Sequence, residues 1–228
     1  MSVSLNEVER RCLLETARSA LEAAVRGEPV PEVRMELIPP RLLEPGASFV
    51  TLTASGSLRG CIGTLEARQP LIDDVREHAV AAALEDFRFT PVQPTELPGI
   101  EIEISRLTAP WPLVYADSED LLAKLRPNVD GVVILDGIRR ATFLPQVWAK
   151  IPDPADFLDN LCYKMGAPVD YWRRTRLDVL VYEVEEFRER QTDLVQDGKA
   201  SANLTAMKPA SRSVKAPPPR VSENGGER

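Results

Sequence analysis

Val8, Cys12, Leu14, Ala17, Leu21 and Ala24 recur at three- and four-residue steps, which places them on one face of an α-helix ending near Gly27. Ser4 and Glu7 ahead of it have the spacing of a capping box, in which a hydroxyl and a carboxylate satisfy free amides of the first turn. Pro29, Pro31, Pro39, Pro40 and Pro45 then exclude regular structure and predict a long extended connection. Residues 49–53 are β-branched and aromatic, 54–57 carry turn residues, and 58–64 read as the second arm of a hairpin. After Pro70, the positions Leu71, Val75, Ala79, Ala82 and Ala83 mark the buried side of a helix running to about Asp86. Residues 100–105 alternate strictly, with Glu101 and Glu103 on one face. Paired carboxylates suit acid–base chemistry, but an Ile-Glu alternation is more simply a solvated sheet face. Asp117 or Ser118 caps a short helix, and residues 129–135 and 139–144 form a hairpin around Asp136-Gly137. Asp153-Pro154 opens a helix with Phe157, Leu158, Leu161, Cys162 and Met165 on its apolar face, and Gly166 ends it. An alternating run from Leu177 to Glu185 predicts one long final strand.

Composition narrows the class. Of 228 residues, 43% are hydrophobic and 28% charged, enough apolar material for a sizeable core. The net charge of −7 argues against a general nucleic-acid binder, which needs clustered phosphate-neutralising cations. No apolar run is long enough for a membrane span, so no membrane association is expected. Cys12, Cys61 and Cys162 are far apart and form no CxxC pair, so neither a disulfide framework nor a cysteine metal site is expected, and a cytoplasmic location is. One histidine leaves no histidine-rich metal site; no metal and no cofactor are expected. No phosphate-cradling loop, dinucleotide fingerprint or GxSxG elbow occurs. The character changes near Gln196. Over 197–228, six basic residues stand against three acidic ones, and with Pro209 and Pro217 to Pro219 this predicts a disordered proline-rich basic tail, 191–228, behind a domain of residues 1–190.

Candidate chemistry concentrates in Leu58-Arg59-Gly60-Cys61-Ile62-Gly63-Thr64. Glycines beside a cysteine weaken a strand, so they imply a bulge, a close backbone approach or a ligand. Alternation puts Arg59, Cys61 and Gly63 on one face. Cys61 is a candidate nucleophile, since a cation such as Arg59 or Arg88 favours the reactive thiolate. His78 is a weak candidate base, useful only if its helix packs across that strand with the imidazole inward; otherwise it is a half-exposed surface residue. The acid–aromatic–base cluster over 85–91 is either a functional loop or a plug, with Phe87 and Phe89 in the core and Arg88 paired to Asp86. Against the nucleophile stands a binding module in which Arg59, Gly60, Gly63, Thr64, Asp86 and Arg88 hold a small anionic ligand or a partner protein and Cys61 only packs.

These residues resemble a known family. The heptapeptide at 58–64 is similar to the hallmark of the AMMECR family, and the segment 86–92 resembles that family's Asp-Pro-Arg-Phe-Pro-Pro stretch. Glu96-Leu97, the runs 102–105 and 141–148, Phe157-Leu158 and the run 161–166 fit as well, so the resemblance spans roughly residues 5 to 190. Phe87 and Thr90 stand where the family has prolines. The resemblance implies an α+β fold with an antiparallel sheet flanked by helices and a second, smaller interlocked subdomain. It implies a fold more than a reaction. Within the family the chain most resembles a bacterial branch, the AmmeMemoRadiSam system protein A. That branch implies a Memo-like protein and a radical-SAM protein as partners.

Overall fold

The computed structural model describes residues 4–189; the tail expected to be disordered lies outside the described residues. The first helix, α1, covers Glu7–Arg26. Its capping box is formed by Asn6 and Glu9 rather than by Ser4 and Glu7: the Asn6 side chain accepts from the Glu9 amide at 2.9 Å, and the Glu9 carboxylate accepts from the Asn6 amide at 2.8 Å. The buried stripe is therefore Leu13, Ala17, Ala20 and Leu21, and Val8 faces solvent. The proline-rich connection is not wholly extended. Two single turns of 3-10 helix at Met35–Leu37 and Pro40–Leu43 bring the chain round to strand β1, Pro45–Ala54.

The remaining elements follow in chain order. Strand β2 is Ser57–Gly63, β3 is Gln69–Pro70, and α2 is Leu71–Leu84. Strand β4 is Ile100–Leu107, β5 is Trp111–Pro112, and α3 is Ser118–Lys124 behind the Asp117 cap. Strands β6, Gly131–Asp136, and β7, Arg139–Phe143, form the expected hairpin. Helix α4 is Pro154–Lys164 behind the Asp153 cap, and α5 is Tyr171–Arg174. The final run is not one strand: β8, Asp178–Tyr182, and β9, Val184–Arg188, belong to different sheets. Both sheets are antiparallel. One has the order β2-β1-β4-β9, with β3 on the start of β1; the other has the order β5-β8-β6-β7. No helix among the described residues is long and apolar enough to cross a membrane.

Alternation along β1 and β4 sends Val50, Leu52, Ile100, Ile102 and Ile104 to one face, where α1 and α2 cover them in the first core. The opposite face carries Thr51, Glu101 and Glu103, and Glu103 pairs with Arg188 across β4 and β9 at 3.6 Å. The second sheet has its own core, in which Trp148 stacks on Phe157 at a centroid distance of 3.6 Å. A third cluster around Ala47, Leu107, Val133 and Tyr182 joins the two sheets. The fold is thus α+β, with antiparallel sheets flanked by helices.

Gly60 sets how closely α2 can approach the first sheet. A Cβ at this position would lie 2.1 Å from the carbonyl oxygen of Ala82, a backbone atom that moves only with the helix. Gly60→Ala is expected to destabilise the protein by about 2–3 kcal/mol, because an overpacked contact has to be relieved by shifting an element. Gly99, where an added Cβ would meet nothing within 4 Å, is the control. Urea unfolding of Gly60→Ala, Gly99→Ala and wild type checks this; equal midpoints for all three would refute it.

Candidate functional site

The heptapeptide is an edge strand with its exposed backbone clamped. The register runs Leu52 opposite Gly60 and then Thr53 opposite Leu58, so Arg59 is the extra residue of a β-bulge. The bulge interrupts the alternation that would pair Arg59 with Cys61. Arg59 instead makes a two-pronged ion pair with Glu96, Nε to Oε1 at 2.8 Å and Nη2 to Oε2 at 3.1 Å. Glu96 also accepts from the Gln93 amide at 2.7 Å, so Arg59 fixes the loop that leads to β4.

Cys61 pairs with Thr51, and its own N–H and C=O are held from outside the sheet. The Asp86 carboxylate accepts from the Cys61 amide at 2.9 Å, and Arg88 Nη2 donates to the Cys61 carbonyl at 3.2 Å. Asp86 and Arg88 close the ring between themselves, with Nη2 to Oδ2 at 2.6 Å and Nε to Oδ1 at 2.9 Å. A carboxylate and a guanidinium therefore stand in for the C=O and N–H of a neighbouring strand. Such a cover prevents edge-to-edge pairing. Asp86 is 5% exposed, and its carboxyl is held well below the usual carboxylate range, first by the Arg88 side chain and then by the two amides that donate to it. The Arg88 guanidinium is held above its ordinary value chiefly by Asp86.

The remaining positions are brought together only in part. Cys61 is half-buried, and Thr51 Oγ1 lies 3.3 Å from its sulfur. Gly63 lies under the Phe49 ring, 2.4 Å from where a Cβ would stand. Thr64 ends the strand: its amide donates to the Ser48 carbonyl at 3.0 Å, and its hydroxyl accepts from the Glu66 amide at 3.2 Å. His78 is not brought to Cys61. Gly60 faces α2, so Cys61, the next residue, faces away, and the sheet lies between the thiol and the helix that carries His78. His78 Nδ1 sits 3.2 Å from the Asp74 carboxylate instead, without a hydrogen-bonding alignment, and Asp74 accepts from Ser48 Oγ at 2.6 Å. In the 85–91 cluster the Asp86–Arg88 pair forms as the plug reading requires, but Phe87 is no plug: it is 95% exposed at the tip of the loop.

A separate cleft of about 330 Å³ opens between the two sheets, and none of the candidate site residues named from the sequence lines it. Its walls come from the start of β1, the end of β4, and β6, β7 and β8. They include Arg106, Arg140 and Tyr182, whose phenol burial pushes above its ordinary value. No local motif announces it, since its residues lie far apart along the chain. Among the described residues no group of His, Cys, Asp and Glu is placed to hold a metal ion.

A family model described as AMMECR1 matches residues 14–187, which include both sheets and the clamped heptapeptide. The chain belongs to the AMMECR1 family. A protein of Methanothermobacter thermautotrophicus is 38% identical over 188 residues, 81% of this chain and 96% of the relative. A protein of Thermofilum pendens is 36% identical over 200 residues, 81% of this chain and 92% of the relative. The crystal structure of an uncharacterized protein from Pyrococcus horikoshii superposes with a TM-score of 0.66 at 30% identity, covering 82% of this chain and 94% of that one. In this AMMECR1 chain, then, the segment 58–64 is held through the Arg59 side chain and through the Cys61 backbone.

The clamp predicts a pH dependence. A carboxyl whose value is depressed on folding contributes stability above the unfolded value, about 3.9 for Asp, and that stability is lost as pH falls through the lower folded value. Asp86→Asn is expected to cost about 1–2 kcal/mol at neutral pH. The gap between wild type and variant should persist down to about pH 5 and narrow below pH 4. Urea midpoints between pH 3 and 7 measure it, and a gap that widens on acidification would contradict the clamp.

Proposed function

We propose that this AMMECR1 chain is a partner-protein binding module that works with a Memo-like protein and a radical-SAM protein in the cytoplasm. The observation that carries the reading is the Phe87–Arg88 tip. An aromatic ring 95% exposed stands on a loop whose neighbours Asp86 and Arg88 are fixed to the Cys61 backbone. A large apolar residue presented on a rigid support loses little entropy on docking, and aromatic and arginine residues dominate interface energetics. Leu58, on edge strand β2, is a second exposed apolar residue, 45% exposed. The choice of partners rests on the resemblance to the AmmeMemoRadiSam branch; the relatives from Methanothermobacter and Thermofilum are archaeal, so that branch is part of the proposal. The cytoplasmic placement is supported by Cys12, Cys61 and Cys162 all being free thiols.

The purified Memo-like and radical-SAM proteins of the same organism test this by interferometry against the immobilised chain. Phe87→Asp is expected to weaken binding at least about tenfold, a hot-spot-sized effect, with Cys61→Ala near wild type. Failure of both partners to bind the wild-type chain would end the reading.

A second reading, an enzyme with Cys61 as nucleophile, is favoured by one observation: Arg88 Nη2 donates to the Cys61 carbonyl at 3.2 Å, which brings a guanidinium to the residue that carries the thiol. A nearby cation promotes the thiolate. On this reading iodoacetamide alkylates Cys61 faster than a free thiol, and Arg88→Gln slows it. Alkylation of Cys61 at the rate of a model thiol, unchanged in Arg88→Gln, would dismiss it.

A further inference from the structure

The inter-sheet cleft carries a charge pattern that its size and walls turn into a binding site. Around it, carboxylates are shared. Glu185 receives Arg10 at 2.6 Å and Arg106 at 3.2 Å. Glu66 receives Arg68 at 2.6 Å and Arg140 at 2.9 Å. Four guanidiniums thus face two carboxylates, in a chain whose net charge is −7. Of these, Arg106 and Arg140 line the cleft, one from each sheet, and among the described residues Glu44 is the only carboxylate residue lining it.

The rest of the wall combines Arg41, Glu44, Thr108 and Thr142 with an apolar stretch. Leu107, Val133 and the Tyr182 ring belong to the cluster that joins the sheets. The Tyr182 ring lies across Gly131, where a Cβ would stand 2.3 Å from it, and its hydroxyl is engaged by Thr142 Oγ1 and the Phe143 carbonyl, each at 3.2 Å. The ring therefore presents a fixed apolar face. A volume of about 330 Å³ sits at the lower end of the range for small-molecule sites, about 300–1,000 Å³.

We infer that the cleft between the two sheets of this AMMECR1 chain binds a small organic anion, an oxyanion group on an apolar body about the size of one aromatic ring. The oxyanion sits between Arg106 and Arg140, where paired donors recognise it in two-pronged geometry. The apolar body packs on Leu107, Val133 and the Tyr182 ring. The Arg140–Glu66 pair is solvent-exposed, so Arg140 turns to an entering anion at little cost, whereas Arg106 stays paired with Glu185, both side chains largely buried, and meets the anion from a fixed position. This inference does not depend on partner binding at Phe87.

Isothermal calorimetry on the full chain with phenyl phosphate, phenol and inorganic phosphate tests it. Phenyl phosphate is expected to bind at least about tenfold more tightly than phenol or phosphate, and added salt should weaken it. Arg140→Gln should weaken phenyl phosphate binding about tenfold, the scale of one charge-assisted pair. Ala67→Trp, at an exposed position on the rim, should abolish binding with an unchanged unfolding temperature. Phe87→Asp should leave it at the wild-type value, which separates this result from failure of the partner reading. Absence of heat at millimolar phenyl phosphate, inorganic phosphate matching phenyl phosphate, or full binding by folded Ala67→Trp would each overturn the inference.

Discussion

The two sheets of this protein are joined where the chain crosses between them twice, and the two crossings are tied to each other. Thr108 leaves β4 for the second sheet, and Glu183 returns from β8 to β9. The Thr108 amide donates to the Glu183 carbonyl at 2.9 Å, and the Glu183 amide donates to the Thr108 hydroxyl at the same distance. Thr108 is buried, so these bonds satisfy backbone groups that would otherwise be costly to leave unpaired. The tie lets the second sheet sit as an insertion between β4 and β9 of the first while the sheet registers stay fixed. Thr108, a member of the tie, and Tyr182, next to Glu183, also line the inter-sheet cleft. The wall of the cleft is therefore set by the same bonds that hold the fold together.

Strand β9 carries that order back to the start of the chain. Glu185 accepts from the Leu5 amide and pairs with Arg10, and Glu189 pairs with Arg18 and accepts from the Ile102 amide. A single short strand and the residue after it thus bind α1 and β4 together through two carboxylates. The edge at β2 is stabilised by a different device, a side-chain pair that mimics a strand. Close packing of Gly60 on Ala82 and capping of Cys61 by Asp86 and Arg88 act on adjacent residues, so the segment is constrained from both the helix side and the open side.

Much of this was legible in the chain. The 3.6- and 2-residue periods placed the helices and strands, and the Asp117, Asp153 and Gly166 signals stand where the ends of elements are observed. Where local reading failed, a nonlocal contact decided. The run 177–185 alternates throughout, yet it divides at Glu183 because Thr108, far away in sequence, claims its amide. The glycines of the heptapeptide pointed to a bulge or a close approach, and both occur. What alternation could not show is that the bulge at Arg59 would turn that side chain to Glu96, or that His78 would lie behind the sheet. The cleft was invisible for the same reason: Arg106 and Arg140, on its walls, acquire meaning only when two sheets bring them together.

The number of arginines around each carboxylate separates scaffold from site. At the β2 edge the pairing is one to one, Arg59 with Glu96 and Arg88 with Asp86. Such pairs leave little net field, and their directional hydrogen bonds are spent on fixing loops and backbone. At the two carboxylates that hold Arg106 and Arg140 beside the cleft the pairing is two to one, because Glu185 and Glu66 each serve two arginines. Like charges held near one another repel, and that repulsion is relieved by a bound anion rather than by rearrangement of a fixed wall. The edge is thus built to be rigid, and the cleft is built with an electrostatic surplus that a ligand completes.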